Sequence, residues 1–212
     1  MSTKKRRHHF VWQHYLSAWC TDGELGCLRN KSFFTTGTTV VAVEKDLYML
    51  ADLKQPELKL LRLMVQKMPA PMRSVQMGWL SMFTAPSVLE SIFGGVSAEA
   101  DKLLTDLRFN TEEDFHAKVE ADALPILAEL RKGERAFFDD RAAFQIFVFY
   151  LSLQFTRTKK VRDRLKMAFD GMQFPSGFGE VDPARVANAV GMISATSLAA
   201  SYIMQREHCA SP

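Results

Sequence analysis

Residues 141–166 read RAAFQIFVFYLSLQFTRTKKVRDRLK, and this stretch decides the fold. From 142 to 151 the run is apolar on nearly every side, with Gln145 as its one polar residue. A helix that is apolar all round lies in a protein core, and this run is too short to span a bilayer. The stretch therefore predicts a central buried helix at about 141–166.

Upstream of this helix, the chain predicts a small N-terminal antiparallel β meander. Residues 25–28, 32–35 and 39–43 are short stretches in which β-branched and aromatic residues are frequent. Such residues favour strands, and the turn signal Asp22-Gly23 precedes the first stretch.

The rest of the chain predicts helices. From residue 56 onward apolar residues recur every three or four positions, which is typical of helices. Thr111 is a candidate N-cap, because acidic residues follow it where the helix dipole favours them. We expect a mainly α fold of the α+β class, a helical bundle with the meander packed on it. The whole of 1–212 is predicted to be one domain, with 1–55 forming the N-terminal motif and meander and 56–212 the helical part.

The composition is that of a globular protein with a substantial core, since 47% of the 212 residues are hydrophobic and 24% are charged. It excludes a disordered tail, a collagen-like fibre and a disulfide-stapled miniprotein. The net charge of +3 is unevenly distributed. Residues 4–7 carry +4 and residues 157–166 carry +5, whereas residues 98–140 carry −6. The sequence thus has two basic patches and one acidic region.

The cysteines and the N-terminus indicate a cytoplasmic protein. Cys20, Cys27 and Cys209 are odd in number and form no C-x-x-C pair, so neither a disulfide framework nor a zinc site is supported. Gln13 and His14 interrupt the apolar run that follows the basic N-terminus, and a signal peptide needs a longer one.

A first candidate site lies in residues 8–16, HHFVWQHYL. His8, His9 and His14 titrate near neutrality or bind metals, and Gln13 lies among them. The alternative is that these residues only pin the N-terminus onto the core, since the spacing is not a metal fingerprint.

A second candidate site is formed by Glu113, His116 and Glu120, at positions i, i+3 and i+7 of one helix face. Side chains with this spacing can converge on one point. Glu-x-x-His is also the unit of carboxylate-bridged di-iron bundles, although no second copy is present. A divalent metal is thus the candidate cofactor, and the alternative is a solvated acidic face.

A third candidate site begins where the central helix leaves the core. Gln154 and Arg157 share a face that continues the buried one, so Arg157 is well placed to hold a carboxylate or a phosphate. Lys159 and Lys160 begin a basic run that continues to Lys166. This run either contacts a phosphate backbone, of a nucleic acid or another acidic partner, or is a solvated helix end.

The final predicted helix starts at Asp182-Pro183 and runs to about Arg206. Residues 186–204 carry no charge, and small residues spaced by four permit close helix approach in membranes. Several polar residues dilute its apolarity, so we expect a tightly packed helix outside the membrane. This helix is the predicted contact for a second copy or a partner chain.

The motifs resemble those of a known family. Residues 7–16 resemble the opening HHxVPQxYL motif of the domain-of-unknown-function family numbered 4238, which is large and mostly bacterial, with Trp12 in place of the proline. The resemblance continues through residues 26–29 and 41–48, through residues 113–116 with Glu120, and through residues 154–158, which are similar to the family's Q-x-x-R-T.

The resemblance implies a fold and a set of polar positions, because the family is uncharacterised. The family's recurrent polar positions map onto His8, His9, Gln13, Glu44, His116, Glu120, Gln154 and Arg157. Family members commonly continue to a T-S-D-x-P segment that has no match here. This implies a truncated or divergent member, or one that depends on a partner.

Together, these residues predict an enzyme that acts on a phosphate-bearing substrate such as a nucleic acid, as a nuclease-like effector. The predicted catalytic residues are His8, His9, His116, Glu120 and Arg157. The predicted substrate-binding residues are Gln13, Gln154, Lys159 and Lys160, and the predicted metal ligands are Glu113, His116 and Glu120. The alternative is a non-catalytic helical module that binds nucleic acid or protein.

Overall fold

The computed structural model describes residues 4–175 and 177–210, with only the backbone for 208–210. Its strands are β1 (Arg7–His9), β2 (Cys20–Thr21), β3 (Glu24–Arg29), β4 (Ser32–Thr36) and β5 (Val43–Lys45). Its α-helices are α1 (Gln13–Ser17), α2 (Gln55–Gln66), α3 (Ala70–Phe93), α4 (Ala98–Arg131), α5 (Arg141–Thr156), α6 (Lys159–Asp170) and α7 (Pro183–Ala210). The prediction of a mainly helical α+β fold with a small N-terminal antiparallel sheet is confirmed.

The N-terminal strands form two sheets rather than one meander. Strands β2, β3 and β4 make a three-stranded antiparallel sheet, and β1 pairs with β5 so that His8 lies opposite Glu44. The prediction of a strand over 39–43 is wrong, since Thr38–Val40 form a 3-10 turn. Ala42 then adopts a φ of 53°, which interrupts any extended run before β5 begins.

Helix α4 begins well before the predicted N-cap. Ser97 is extended, with φ −157°, and its side chain accepts a hydrogen bond from the Ala100 amide. Thr111 lies inside the helix, where its hydroxyl donates to the carbonyl of Leu107 at 2.7 Å. The expected cap at Thr111 is therefore wrong, because that hydroxyl bonds within the helix. Pro125 also lies inside α4, which continues past it to Arg131.

We expect Ser97→Ala to lower the free energy of unfolding by about 1 kcal/mol, because an amide of the first turn loses its partner. Thr111→Ala is the matched control, and it should cost less than about 0.5 kcal/mol since alanine favours the helix interior. Urea unfolding monitored by circular dichroism measures both values. Equal costs would contradict the assignment of the cap.

The predicted helix over 141–166 is two helices. Helix α5 ends at Thr156, Thr158 is extended with ψ 143°, and α6 begins at Lys159. Two threonine hydroxyls donate to carbonyls three residues back, Thr156 to Leu153 and Thr158 to Phe155. Such bonds compete with continuation of the helix. The expectation of one unbroken helix that is buried on all sides is wrong: α5 packs one face against α7, whereas Ile146, Leu151 and Phe155 are exposed.

Helix α7 lies at the centre of the bundle, where it packs against α2, α3, α5 and α6. Val186, Ala187 and Ala195 on α7 are completely buried, as are Leu61 and Val65 on α2. Among the described residues, only the Pro183–Glu207 segment is long and apolar enough to cross a membrane, and half of its most apolar window is buried in the protein. A core helix meets the same criterion, so the expectation of a packed helix outside the membrane stays a prediction.

Candidate functional site

A small cavity lies where α4, α5, α6 and α7 meet the segment after β5. Its volume is about 20 Å³, which is room for one water molecule. We call it the inner cavity. Its polar lining residues are Tyr48, Glu112, His116, Thr156, Arg157, Arg162 and Asn188.

Two arginines reach the inner cavity because the helix breaks between them. On one continuous helix, residues five apart point about 140° away from each other. Arg157 instead closes the end of α5 and Arg162 lies in the second turn of α6, so both line one cavity. Their exposures are only 5% and 8%. Two guanidinium groups, which stay charged in proteins, are thus buried side by side.

Arg157 is paired with a carboxylate from α4. Its Nη2 donates to Glu120 Oε1 and also to Gln154 Oε1, the latter at 3.0 Å. Its Nε is buried without a hydrogen-bond partner in the structure. Burial raises the pKa of Glu120, while the neighbouring Arg157 opposes that rise. The ion pair therefore compensates the charge of Arg157 but leaves one of its donors free for another acceptor.

Arg162 is less well compensated than Arg157. Its Nη1 lies 4.0 Å from Glu44 Oε2, beyond hydrogen-bond length, and the Glu44 side chain is 37% exposed. Its Nε is also buried without a partner. Burying a cation without a close counter-ion costs free energy of folding. An anion that bound beside Arg162 would therefore be stabilised by its charge.

Glu112 and His116 form a second pair, with 3.6 Å between Glu112 Oε1 and His116 Nε2. Asn188 holds the other carboxyl oxygen of Glu112 by a hydrogen bond of 3.1 Å. Burial raises the pKa of Glu112 to about 8 and lowers that of His116 well below its ordinary value. At neutral pH, Glu112 therefore carries a proton and His116 does not, so His116 is the base of the pair.

His8 is completely buried, and its hydrogen bonds hold Tyr48 in place. Its Nδ1 accepts from the Tyr48 amide at 2.9 Å, and Nε2 lies 3.1 Å from the carbonyl of Lys5. These partners fix the tautomer with the proton on Nε2. The ring of Tyr48 in turn lies between His8 and His116, at centroid distances of 5.3 and 4.5 Å. His8 thus fixes the wall against which His116 packs.

The other predicted site residues are not among those that line the inner cavity. His9 is half-buried with its Nε2 unpartnered, and Gln13 donates to the Thr38 hydroxyl. Lys159 and Lys160 are exposed on α6. Glu113 is half-buried beside Glu120, and burial followed by repulsion from Glu120 raises its pKa to about 7.

Sequence reasoning assigned no role to Tyr48, Glu112, Arg162 or Asn188, all of which line the inner cavity. The i, i+4 spacing of Glu112 and His116 was the available signal for that pair. An amide side chain in the uncharged stretch of α7 was the signal for Asn188. Arg162 could not be separated from the basic run around it, because the helix break cannot be seen in the composition.

The metal hypothesis remains a prediction. Within the described part of the chain, no three His, Cys, Asp or Glu side chains are grouped so that they could hold a metal ion. Glu120 binds Arg157 in this structure, and His116 lies beside Glu112 rather than Glu113. The inner cavity therefore offers two cationic side chains, Arg157 and Arg162, beside the neutral imidazole of His116.

Comparison with known proteins identifies the family. A family model described as protein of unknown function (DUF4238) matches residues 7–178. The chain belongs to this family. The match covers His8, both members of the Glu112–His116 pair and both arginines, so most of the inner cavity is built from the family segment. No curated protein and no solved structure matches the chain.

The raised pKa of Glu112 predicts a loss of stability with rising pH. Between the unfolded pKa near 4.5 and the folded value of about 8, the unfolded chain releases a proton that the folded protein keeps. The free energy of unfolding should fall over this range by about 1 kcal/mol per pH unit from this group. Glu112→Gln, which imitates the protonated acid, should abolish that part of the slope.

Urea unfolding at pH 5, 6.5 and 8 measures this effect. The exposed Glu99→Gln on the same helix is the control and should keep the wild-type slope. Parallel pH profiles for Glu112→Gln and wild type would contradict a protonated Glu112.

For the buried Arg157–Glu120 ion pair, removing one partner should lower the free energy of unfolding more than removing both. Arg157→Met leaves the Glu120 carboxylate buried without its cation, with an expected cost of about 3–5 kcal/mol. The double variant Arg157→Met/Glu120→Leu leaves no unpaired charge and should be more stable than Arg157→Met alone. A double-mutant cycle in urea checks this coupling. Additive single costs would show that the pair is not coupled.

Proposed function

We propose that this protein is a hydrolase of phosphate esters. The observation that carries the proposal is that two buried arginines, each with an unpartnered Nε, line the same cavity as a neutral histidine. Arginine is the side chain best suited to a phosphate, because its donors match the geometry of the anion. Phosphoryl transfer requires chiefly positioning and compensation of negative charge. Arg157 and Arg162 supply the compensation.

The inner cavity holds the attacking water in this proposal. Its volume of about 20 Å³ admits one water and excludes a phosphate ester. Glu112 already carries a proton at neutral pH, so His116 is the group that accepts the water's proton. The substrate phosphate then lies beside Arg162 at the edge of the inner cavity, within reach of that water, and Asn188 keeps Glu112 in place.

An assay with purified protein tests the proposal. The substrates are 4-nitrophenyl phosphate, bis(4-nitrophenyl) phosphate, and mixed RNA and DNA, each with Mg²⁺, with Mn²⁺ and with EDTA. We expect hydrolysis of at least one ester, reduced about 100-fold or more in His116→Gln, since general base catalysis contributes about 10²–10⁴-fold. Burial lowers the pKa of His116. As the pH is lowered, kcat/KM should therefore stay constant past pH 6.5 and fall only at a lower pH, where His116 becomes protonated.

Matched variants separate chemistry from folding. Arg164→Gln alters an exposed arginine of α6 that does not line the inner cavity, and it should keep wild-type activity. Thermal unfolding shows whether His116→Gln retains the fold. Absence of hydrolysis with every ester and metal, or full activity of a folded His116→Gln, would refute the proposal. Salt-sensitive binding of RNA or DNA without turnover would favour the non-catalytic module instead.

A further inference from the structure

A second pocket lies next to the inner cavity at the protein surface. Its volume is about 260 Å³, and Arg162 and Asn188 belong to the walls of both spaces. We call it the outer pocket. A group bound there would contact Arg162 where the two spaces meet.

The charges of the outer pocket favour an anion at its inner end. Arg162, Lys45 and Arg185 line it, against Glu44 and Asp46, and Arg185 is paired with Asp182 at 3.3 Å. Asp46 is already bound by the guanidinium of Arg6, and Glu44 stays 4.0 Å from Arg162. The Nε of Arg162, on a side chain that is 9% exposed, has no partner. An anion that approaches more closely than Glu44 would satisfy this donor.

The rest of the outer pocket is apolar and small. Met49, Ala51 and Phe83 contribute to its wall. Pockets for drug-sized ligands typically enclose about 300–1,000 Å³, so this one fits a single small molecule. A polymer strand would have to bring its phosphate to a side chain that is more than nine-tenths buried.

We infer that the outer pocket binds a small phosphomonoester whose organic part carries one flat apolar group, of the size of a mononucleotide. Its phosphate contacts Arg162, and its flat group packs on Met49, Ala51 and Phe83. This inference rests on the proposed function and narrows its substrate class from phosphate esters in general to terminal phosphates. A dianionic monoester gains more than a monoanionic diester from the buried Arg162 and the exposed Lys45 that line the outer pocket.

The reaction at this site balances as a hydrolysis. A bond forms between the oxygen of the water in the inner cavity and the phosphorus, and the ester bond between phosphorus and the leaving oxygen breaks. His116 takes the proton of the attacking water, and the leaving oxygen takes a proton from solvent in the outer pocket. The products are inorganic phosphate and an alcohol.

Isothermal titration calorimetry with four probes tests the inference. The probes are AMP, 3′,5′-cyclic AMP, adenosine and sodium phosphate. Cyclic AMP has the same nucleoside but a diester, and adenosine lacks the phosphate. We expect AMP to bind at least tenfold more tightly than each of the other three.

Variants localise the binding. Arg162→Gln should weaken AMP binding tenfold or more, Arg162→Lys should restore part of it, and the exposed Arg164→Gln should not change it. Ala51→Trp narrows the apolar part of the outer pocket, and it should weaken AMP binding more than sodium phosphate binding, because free phosphate has no flat group to place there. The exposed Ala168→Trp is its control. If Arg162→Gln does not fold, the comparison of Ala51→Trp with Ala168→Trp decides whether AMP binds in the outer pocket.

The two proposals fail in different ways. Equal binding of cyclic AMP and AMP, no binding of AMP, or AMP binding unaffected by Ala51→Trp overturns the inference. Hydrolysis of any ester in the assay above would still support the proposed function in that case. Conversely, selective AMP binding without hydrolysis of any ester supports the outer pocket and refutes the hydrolase.

Discussion

The guanidinium of Arg157 is 5% exposed at the end of α5, and a charge buried this deeply must be compensated where it lies. Glu120 on α4 compensates it, and Gln154 accepts a further hydrogen bond. This contact fixes α5 against α4 at the position where α5 stops. Helix α6 then leaves in a new direction and turns Arg162 back toward the same space. The remaining geometry of the site depends on this one buried ion pair.

Burial also determines which groups around the inner cavity are charged. The pKa of Glu112 rises and that of His116 falls, because each loses water when it is buried. The carboxyl group nearest to the cavity is therefore neutral, although it belongs to the most acidic region of the sequence. Two guanidinium groups remain, and Glu120 compensates one of them. The region has a surplus of positive charge that the net charge of the chain does not reveal.

The sequence predicted the fold class and several elements, but it predicted the site only in part. The apolar run before Arg157 identified the core helix, and the Gln154–Arg157 spacing identified a pair that is in contact. The break at Thr158 escaped prediction, because neither proline nor glycine marks it and hydrogen bonds of threonine side chains accompany it. The sequence indicated Glu113, whereas the structure pairs Glu112 with His116. The spacing cannot separate the two, because i, i+3 and i, i+4 both place a carboxylate near His116.

The pairing of β1 with β5 has a consequence for how the chain acquires this site. His8 fixes Tyr48 across 40 residues, and Lys5 bonds to Asn110 across 105. Asn188 closes the opposite wall from α7. Loops of this length close slowly, so the walls that His8 and Asn188 hold in place are completed late in folding. During synthesis on the ribosome, the nascent chain has no complete inner cavity until α7 has emerged and packed.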